Sequence, residues 1–225
     1  MKVKSRFKLD QKTYTKLLIS LIIVFFVSSL VTNRITGLIL SLCFLLSNLF
    51  VLEALSINPK FLTLLRIIAG TGFIFDIFYF PQYEYFSEKL SLIAYICYAA
   101  FCLAAILVIS KRIFSTKKVS QDILRGGICV YLLLGLFWFL LYRIIFLFDH
   151  QAFTNLSGNN VGYQLSYFSF TTLTTLGYGD ITPVHSVAMT LTNAQAIVGQ
   201  LYPAIFIARL VSLYQHDSEN TDEKL

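Results

Sequence analysis

The run TTLGYGD at residues 174–180 stands between two long apolar segments, and it constrains the fold more than any other part of the chain. An extended strand of L-residues points successive carbonyls to opposite sides, so turning them toward one axis requires φ angles of alternating sign. Gly177 and Gly179 can adopt positive φ at little steric cost. We therefore expect a strand whose carbonyls replace the water shell of a cation, with the Thr175 hydroxyl adding a further ring of oxygens.

This run resembles the selectivity filter of the potassium channel family, with Leu176 where valine is common. The resemblance extends over residues 124–214, which would form the two-helix pore domain of that family: an outer helix, a turret loop, a pore helix, the filter and an inner helix. Asp180 would stand at the outer mouth and concentrate cations there. The resemblance implies that the ion-binding residues of the filter, with K⁺ at the first four, are Thr175, Leu176, Gly177, Tyr178 and Gly179.

The chain holds a single filter-like run and no internal repeat. A ring of carbonyls around an ion needs four such strands, and each chain offers one. We therefore expect a homotetramer with cyclic symmetry, surrounded by membrane lipid.

Residues before the filter are expected to support it. Tyr167 and Phe168 fall where the potassium channel family packs aromatic rings around the filter, and Tyr178 would turn its ring into that collar. Thr171 stands where some relatives carry a glutamate that supports the filter aspartate, so this chain lacks that carboxylate. Thr174 is the last residue before the filter and completes the supporting set.

The composition is that of an integral membrane protein. Hydrophobic residues make up 56% and charged residues 13% of the chain, whereas a soluble domain carries about a quarter charged residues. The formal charge of +6 does not indicate a nucleic-acid partner, because the basic residues cluster at the ends of apolar segments, as topology signals do. The four cysteines lack the spacing of metal ligands.

Six apolar runs approach the roughly 20 residues that a helix needs to cross the bilayer, and a shorter run at 163–174 predicts a re-entrant pore helix. We thus predict an all-α integral membrane protein. The spans are expected at about 15–32, 35–55, 61–80, 90–110, 124–148 and 186–214.

Basic residues set the predicted orientation. They are concentrated before the first span and around the linker between spans four and five, which places both termini in the cytoplasm. The compact size suits the plasma membrane of a prokaryote, its inner membrane. The predicted domains are a basic N-terminus at 1–16, a four-helix transmembrane domain at 17–110, a linker at 111–123, the pore domain at 124–214 and a short cytoplasmic tail at 215–225.

The fourth span carries no charge that a membrane voltage could move. Between Lys89 and Lys111 there is no lysine or arginine. Each gating charge is worth about 2.3 kcal/mol per 100 mV, so a helix without any predicts no steep voltage dependence. Asp76 and Arg143 both fall toward the outer side of the membrane, and we expect them either to pair or to reach the interface independently.

Gly199 and Pro203 in the inner helix predict a bend. The proline ring clashes with the carbonyl at i−4, which belongs to Gly199, and proline also removes one helical hydrogen bond. A glycine at this distance after the filter also resembles the gating hinge of potassium channels. A static kink shaped only by packing is the alternative.

The function expected from these features is passive, K⁺-selective conduction through a carbonyl-lined filter, with K⁺ as the permeant ligand and no cofactor. A weakly selective cation channel and a non-conducting channel subunit are the alternatives, although the intact tyrosine and glycines of the filter argue against both. No enzymatic activity is expected, since no cluster of acids, histidines or cysteines lies at membrane depth.

Overall fold

The computed structural model describes residues 13–28, 42, 46–47, 49–50, 59–77, 84–116, 120–156 and 160–222. Within these ranges the regular structure is helical, apart from one isolated bridge between Phe153 and Pro183. The helices are α1 (Thr13–Ser28), α2 (Pro59–Ile77), α3 (Glu84–Ser115), α4 (Gln121–Phe148), α5 (Val161–Leu173) and α6 (Ser186–Asp222).

Three of the described helices are long and apolar enough to cross a membrane, over Glu88–Ser115, Gln121–Phe148 and Ser186–Gln215. They correspond to the predicted spans at 90–110, 124–148 and 186–214. Shorter apolar helices, Tyr14–Val27 and Leu62–Ile74, lie within the predicted spans at 15–32 and 61–80, give or take a residue. Most of the predicted span at 35–55 lies outside the described residues, so the count of six spans stays a prediction.

Two predicted boundaries differ from the structure. The linker predicted at 111–123 is shorter, because α3 continues through Ser115 and α4 begins at Gln121. Ser120 caps α4 by accepting a hydrogen bond from the Ile123 amide at 3.3 Å, which explains the early start. The tail predicted from residue 215 also begins as helix, since α6 runs to Asp222.

The core of the described part lies where α4 meets its neighbours. Helix α3 packs against α4 and α2, α1 packs against α4, and α5 sits between α4 and α6. Buried side chains from α1 to α5 form one apolar cluster that includes Leu17, Leu65, Phe101, Leu133 and Leu173. Gly135 of α4 allows a close approach, since a Cβ atom there would meet the Phe170 ring of α5 at 2.4 Å.

Two arginines connect the pore region to the helices before it. Arg143 of α4 donates a hydrogen bond to the Tyr95 hydroxyl of α3 and lies over the Tyr95 ring, 4.9 Å from its centroid. The side chain of Asp76, the partner proposed for Arg143, lies outside the described part of the chain, so that pairing stays a prediction. Arg209 of α6 donates to the carbonyls of Phe114 at 3.1 Å and Thr116 at 3.0 Å, at the end of α3.

Candidate functional site

The short helix α5 sets the position of the strand that follows it. Its last residue is Leu173, and the Thr174 amide still donates to the Phe170 carbonyl at 3.0 Å. The helix is fixed laterally by Ser169, whose hydroxyl donates to the Gly135 carbonyl of α4 at 2.7 Å. The run at 174–180 therefore begins at the end of a helix that is packed against α4.

The backbone of this run alternates in the way the sequence predicts. Gly177 has φ +51° and Gly179 has φ +79°. Thr175 also has a positive φ, 58°, which the sequence did not predict because threonine rarely adopts this region. Positive φ at every second residue is the sign alternation that turns successive carbonyls toward one side of the strand.

The amides at the start of the run face α5. Thr175 donates to the Thr172 carbonyl at 3.0 Å, while Leu176 and Gly177 both donate to the Thr171 carbonyl, at 2.9 and 3.1 Å. Thr171 thus supports the strand through its main chain, and its own hydroxyl donates to the Phe168 carbonyl at 3.0 Å. The hydroxyl of Thr174 likewise bonds within the helix, to the Phe170 carbonyl at 2.8 Å.

The aromatic residues divide between two places. Tyr167 stacks on Tyr178, with ring centroids 6.2 Å apart and planes inclined by 3°. Phe168 instead points away from the strand and packs in a buried cluster against Tyr142 and Phe153, at centroid distances of 5.1 and 5.4 Å.

Loop residues hold the far end of the run. The Asn155 side chain donates to the Asp180 carbonyl at 2.7 Å, and the Thr154 amide donates to the Thr182 carbonyl at 2.8 Å. Loss of hydration and the neighbouring Asp180 carboxylate raise the pKa of the Tyr167 hydroxyl to about 12.

Helix α6 contacts the other end of the run. Gly199 lies so close to α5 that a Cβ atom would stand 1.9 Å from the Leu173 carbonyl oxygen. Glycine at this position is therefore required by a close approach, whether or not it also bends. Pro203 lies one turn further along inside α6, as expected. Gln200 donates from Nε2 to the Thr175 hydroxyl oxygen at 3.1 Å.

A buried polar network joins the three helices around the site. Gln195 of α6 is fully buried, accepts a hydrogen bond from the Tyr142 hydroxyl at 2.6 Å, and donates to the Ser169 carbonyl at 2.8 Å. Sequence reasoning missed Gln195, Gln200 and Asn155. The two glutamines had a signal that could have revealed them, because amides are uncommon in an apolar membrane span.

The structure thus brings together Tyr167, Thr171 and the whole run at 174–180, with Gly199 beside them and Phe168 behind. All seven residues of the run are exposed on this chain. Among the described residues, no three His, Cys, Asp or Glu side chains converge as a metal site would need. An exposed strand of oriented carbonyls, held between two membrane-length helices by a short third one, is the architecture of a membrane ion channel.

Comparison with known proteins identifies the family. The protein-family model described as "Ion channel" matches residues 126–216. Protein LctB of Bacillus caldotenax is 32% identical over 111 residues, which are 47% of this chain and 82% of that protein. Protein LctB of Geobacillus stearothermophilus is 31% identical over 103 residues, 43% of this chain and 76% of that protein. No solved structure matches the chain significantly. The chain belongs to the ion channel family.

Proposed function

We propose that this protein is a K⁺-selective channel that lets ions pass down their gradient. Dehydrated K⁺ would bind the carbonyls of Thr175, Leu176, Gly177 and Tyr178 together with the Thr175 hydroxyl, and neighbouring ions would displace one another in single file. Asp180 would attract cations to the outer mouth. The protein supplies oxygen atoms in fixed positions, and conduction makes or breaks no covalent bond.

The observation that carries this proposal is the alternation of φ at Thr175, Gly177 and Gly179. A strand shaped this way exposes main-chain oxygens at regular intervals along one side. The opposite side is satisfied by α5, because the Leu176 and Gly177 amides share the Thr171 carbonyl. The carbonyls are thereby left for a ligand.

A single copy of this strand is incomplete, which supports a homotetramer. Leu176 and Tyr178 are 55% and 66% exposed, and only 17% of the apolar stretch of α6 is buried, against 50% of that of α4. Lipid could cover the apolar face of α6, but it cannot satisfy exposed main-chain polar groups at membrane depth. Four copies around one axis would cover both surfaces and complete the carbonyl rings.

The proposed setting is the inner membrane of a prokaryote, with both termini in the cytoplasm and the filter opening outward. Basic residues at the predicted cytoplasmic ends favour this orientation. The similar proteins named above come from bacteria. We propose that the channel is not steeply voltage-gated, because the stretch between Lys89 and Lys111 in α3 lacks lysine and arginine.

The test is ion flux in liposomes that contain the purified protein. Wild type is expected to pass K⁺ and to exclude Na⁺. Gly177→Ala should lower K⁺ flux more than tenfold, since alanine at positive φ costs about 1–2 kcal/mol in each copy. The matched control is Gly70→Ala, where a Cβ atom meets nothing within 4 Å and the flux should be unchanged.

The other outcomes separate the alternatives. Equal K⁺ and Na⁺ flux would favour a weakly selective cation channel. Absence of flux from assembled wild-type protein would favour a non-conducting subunit and contradict the proposal.

A further inference from the structure

Helix α6 touches the inner end of the filter through one side chain. Gln200 Nε2 donates a hydrogen bond of 3.1 Å to Oγ1 of Thr175. Both residues lie on the exposed side of the chain, where the proposed ion path would run. Thr175 is the first residue of the filter, so this contact is made at the end nearest the membrane centre.

The part of α6 that carries Gln200 is fixed against α5. Five residues earlier, the fully buried Gln195 donates to the carbonyl and the hydroxyl oxygen of Ser169, at 2.8 and 3.0 Å. The preceding residue, Gly199, lies directly against the Leu173 carbonyl. The amide of Gln200 is therefore presented to Thr175 by a helix whose register is set by two neighbouring contacts.

The hydroxyl of Thr175 needs such a partner if it is to face an ion. A threonine hydroxyl has one proton and two lone pairs, and it rotates to suit its neighbours. A donated N–H occupies one lone pair and restricts the rotation, which leaves the second lone pair in a defined direction. Thr175 has in addition a backbone φ of 58°, a conformation that persists only where the surroundings hold it.

We propose that Gln200 is a positioning residue for the innermost cation site of the filter. This inference rests on the proposed function, because the site exists only if four chains meet around an ion path. Gln200 orients the Thr175 hydroxyl oxygen toward the ion. In the assembly, four Gln200 amides form a polar collar beneath the filter.

The experiment measures inhibition of K⁺ flux by Ba²⁺ in liposomes. Ba²⁺ is close to K⁺ in size and carries twice the charge, so it reports the affinity of an oxygen site. Gln200→Leu keeps the side-chain bulk and removes the donor. It should raise the half-inhibitory Ba²⁺ concentration at least fivefold, because about fivefold corresponds to one hydrogen bond of typical net strength and all four chains lose the donor. The matched control is Asn193→Leu, which changes an exposed amide on the same helix. This control should leave the half-inhibitory Ba²⁺ concentration unchanged.

A double-mutant cycle with Thr175→Val identifies the partner. If Gln200 acts through the Thr175 hydroxyl, Gln200→Leu should have no additional effect once that hydroxyl is absent. Additive effects of Gln200→Leu and Thr175→Val on the half-inhibitory Ba²⁺ concentration would overturn the inference. Equal changes in this concentration for Gln200→Leu and Asn193→Leu would also overturn it. Neither result would affect K⁺ conduction by wild type.

Direct titration of Ba²⁺ into the purified, assembled protein by calorimetry gives a readout that needs no flux. A weaker affinity in Gln200→Leu than in wild type supports the inference. Equal affinities overturn it, even where wild-type flux supports the proposed function. If wild type neither passes K⁺ nor binds Ba²⁺, the proposed function itself fails, and this inference fails with it.

Discussion

At the scale of single residues, the filter strand depends on three positive φ angles, and glycine supplies only two of them. The positions of Gly177 and Gly179 predicted their conformation, because glycine tolerates positive φ and most other residues do not. Thr175 could not be predicted in this way. Its amide donates to the Thr172 carbonyl, and its hydroxyl accepts a hydrogen bond from Gln200, 25 residues away, a contact that no local sequence pattern indicates.

Gly199 has a packing role that the sequence does not indicate. The sequence predicts a hinge there, on the strength of the following Pro203, and the hinge stays a prediction. The structure adds a reason that spacing cannot reveal, since the glycine leaves room for the Leu173 carbonyl at the end of α5. A change at Gly199 should therefore disturb the filter as well as any bending of α6.

We expect Gly199→Ala to destabilise the protein by about 1–3 kcal/mol, the usual cost of overpacking. Its Cβ atom would stand 1.9 Å from main-chain oxygen, which cannot move aside as a flexible side chain can. Thermal unfolding in detergent measures the effect. Gly162→Ala is the control, because its Cβ atom would meet Arg143 Nη1 at an ordinary 3.6 Å. Equal unfolding temperatures for the two variants would contradict the packing role.

At the scale of elements, α5 is held by polar contacts from both of its helical neighbours. Tyr142 of α4 and Gln195 of α6 meet in one hydrogen bond, and Gln195 also bonds to Ser169 of α5. The lengths and the apolar character of these helices could be predicted from the sequence. The network could not, because no local pattern relates residues that are 26 and 53 positions apart.

We expect Gln195→Leu to lower the free energy of unfolding by about 1–3 kcal/mol, because the buried Tyr142 hydroxyl would lose its shortest acceptor and Ser169 would lose the amide that donates to its carbonyl and hydroxyl oxygens. Asn193→Leu, an exposed amide two residues earlier, should have little effect. Adding Tyr142→Phe to Gln195→Leu removes both ends of one hydrogen bond. The double variant should lose less stability than the sum of the single losses, and strict additivity would contradict the network.

The end of α3 is held by α6 in a similar manner. Arg209 donates to the carbonyls of Phe114 and Thr116, which have no helical partners at a helix end. A hydrogen bond to a charged donor contributes about 1.5–3 kcal/mol, so Arg209→Gln should speed amide hydrogen exchange around Ser115 at least tenfold. Arg66→Gln, an exposed arginine of α2, is the control. Unchanged exchange in Arg209→Gln would show that the contact does not hold α3.

At the scale of the whole molecule, the described part joins the pore region to the preceding helices through α3 and α4. The sequence suggested Asp76 as a partner for Arg143, because opposite charges at similar depth attract. The structure gives Arg143 the ring and hydroxyl of Tyr95 as partners, while the Asp76 side chain lies outside the described residues and its pairing stays a prediction. Aromatic partners carry no charge signal, so a search for paired charges does not find them.

The exposed surface also belongs to this scale. The sequence predicts several membrane spans, but it does not reveal which of these helices faces lipid. Of the three described membrane-length helices, α4 is the most covered and α6 the least, and Gln200 of α6 contacts the exposed run at 174–180 through Thr175. The proposed fourfold assembly around the filter would cover these surfaces.

Recording from the purified protein in a planar bilayer, with K⁺ and Na⁺ gradients in opposite directions, tests the central claim most directly. We expect single-channel currents that reverse close to the equilibrium potential of K⁺. Currents that reverse near zero, or near the equilibrium potential of Na⁺, would contradict K⁺ selection by the strand that Thr175, Gly177 and Gly179 shape.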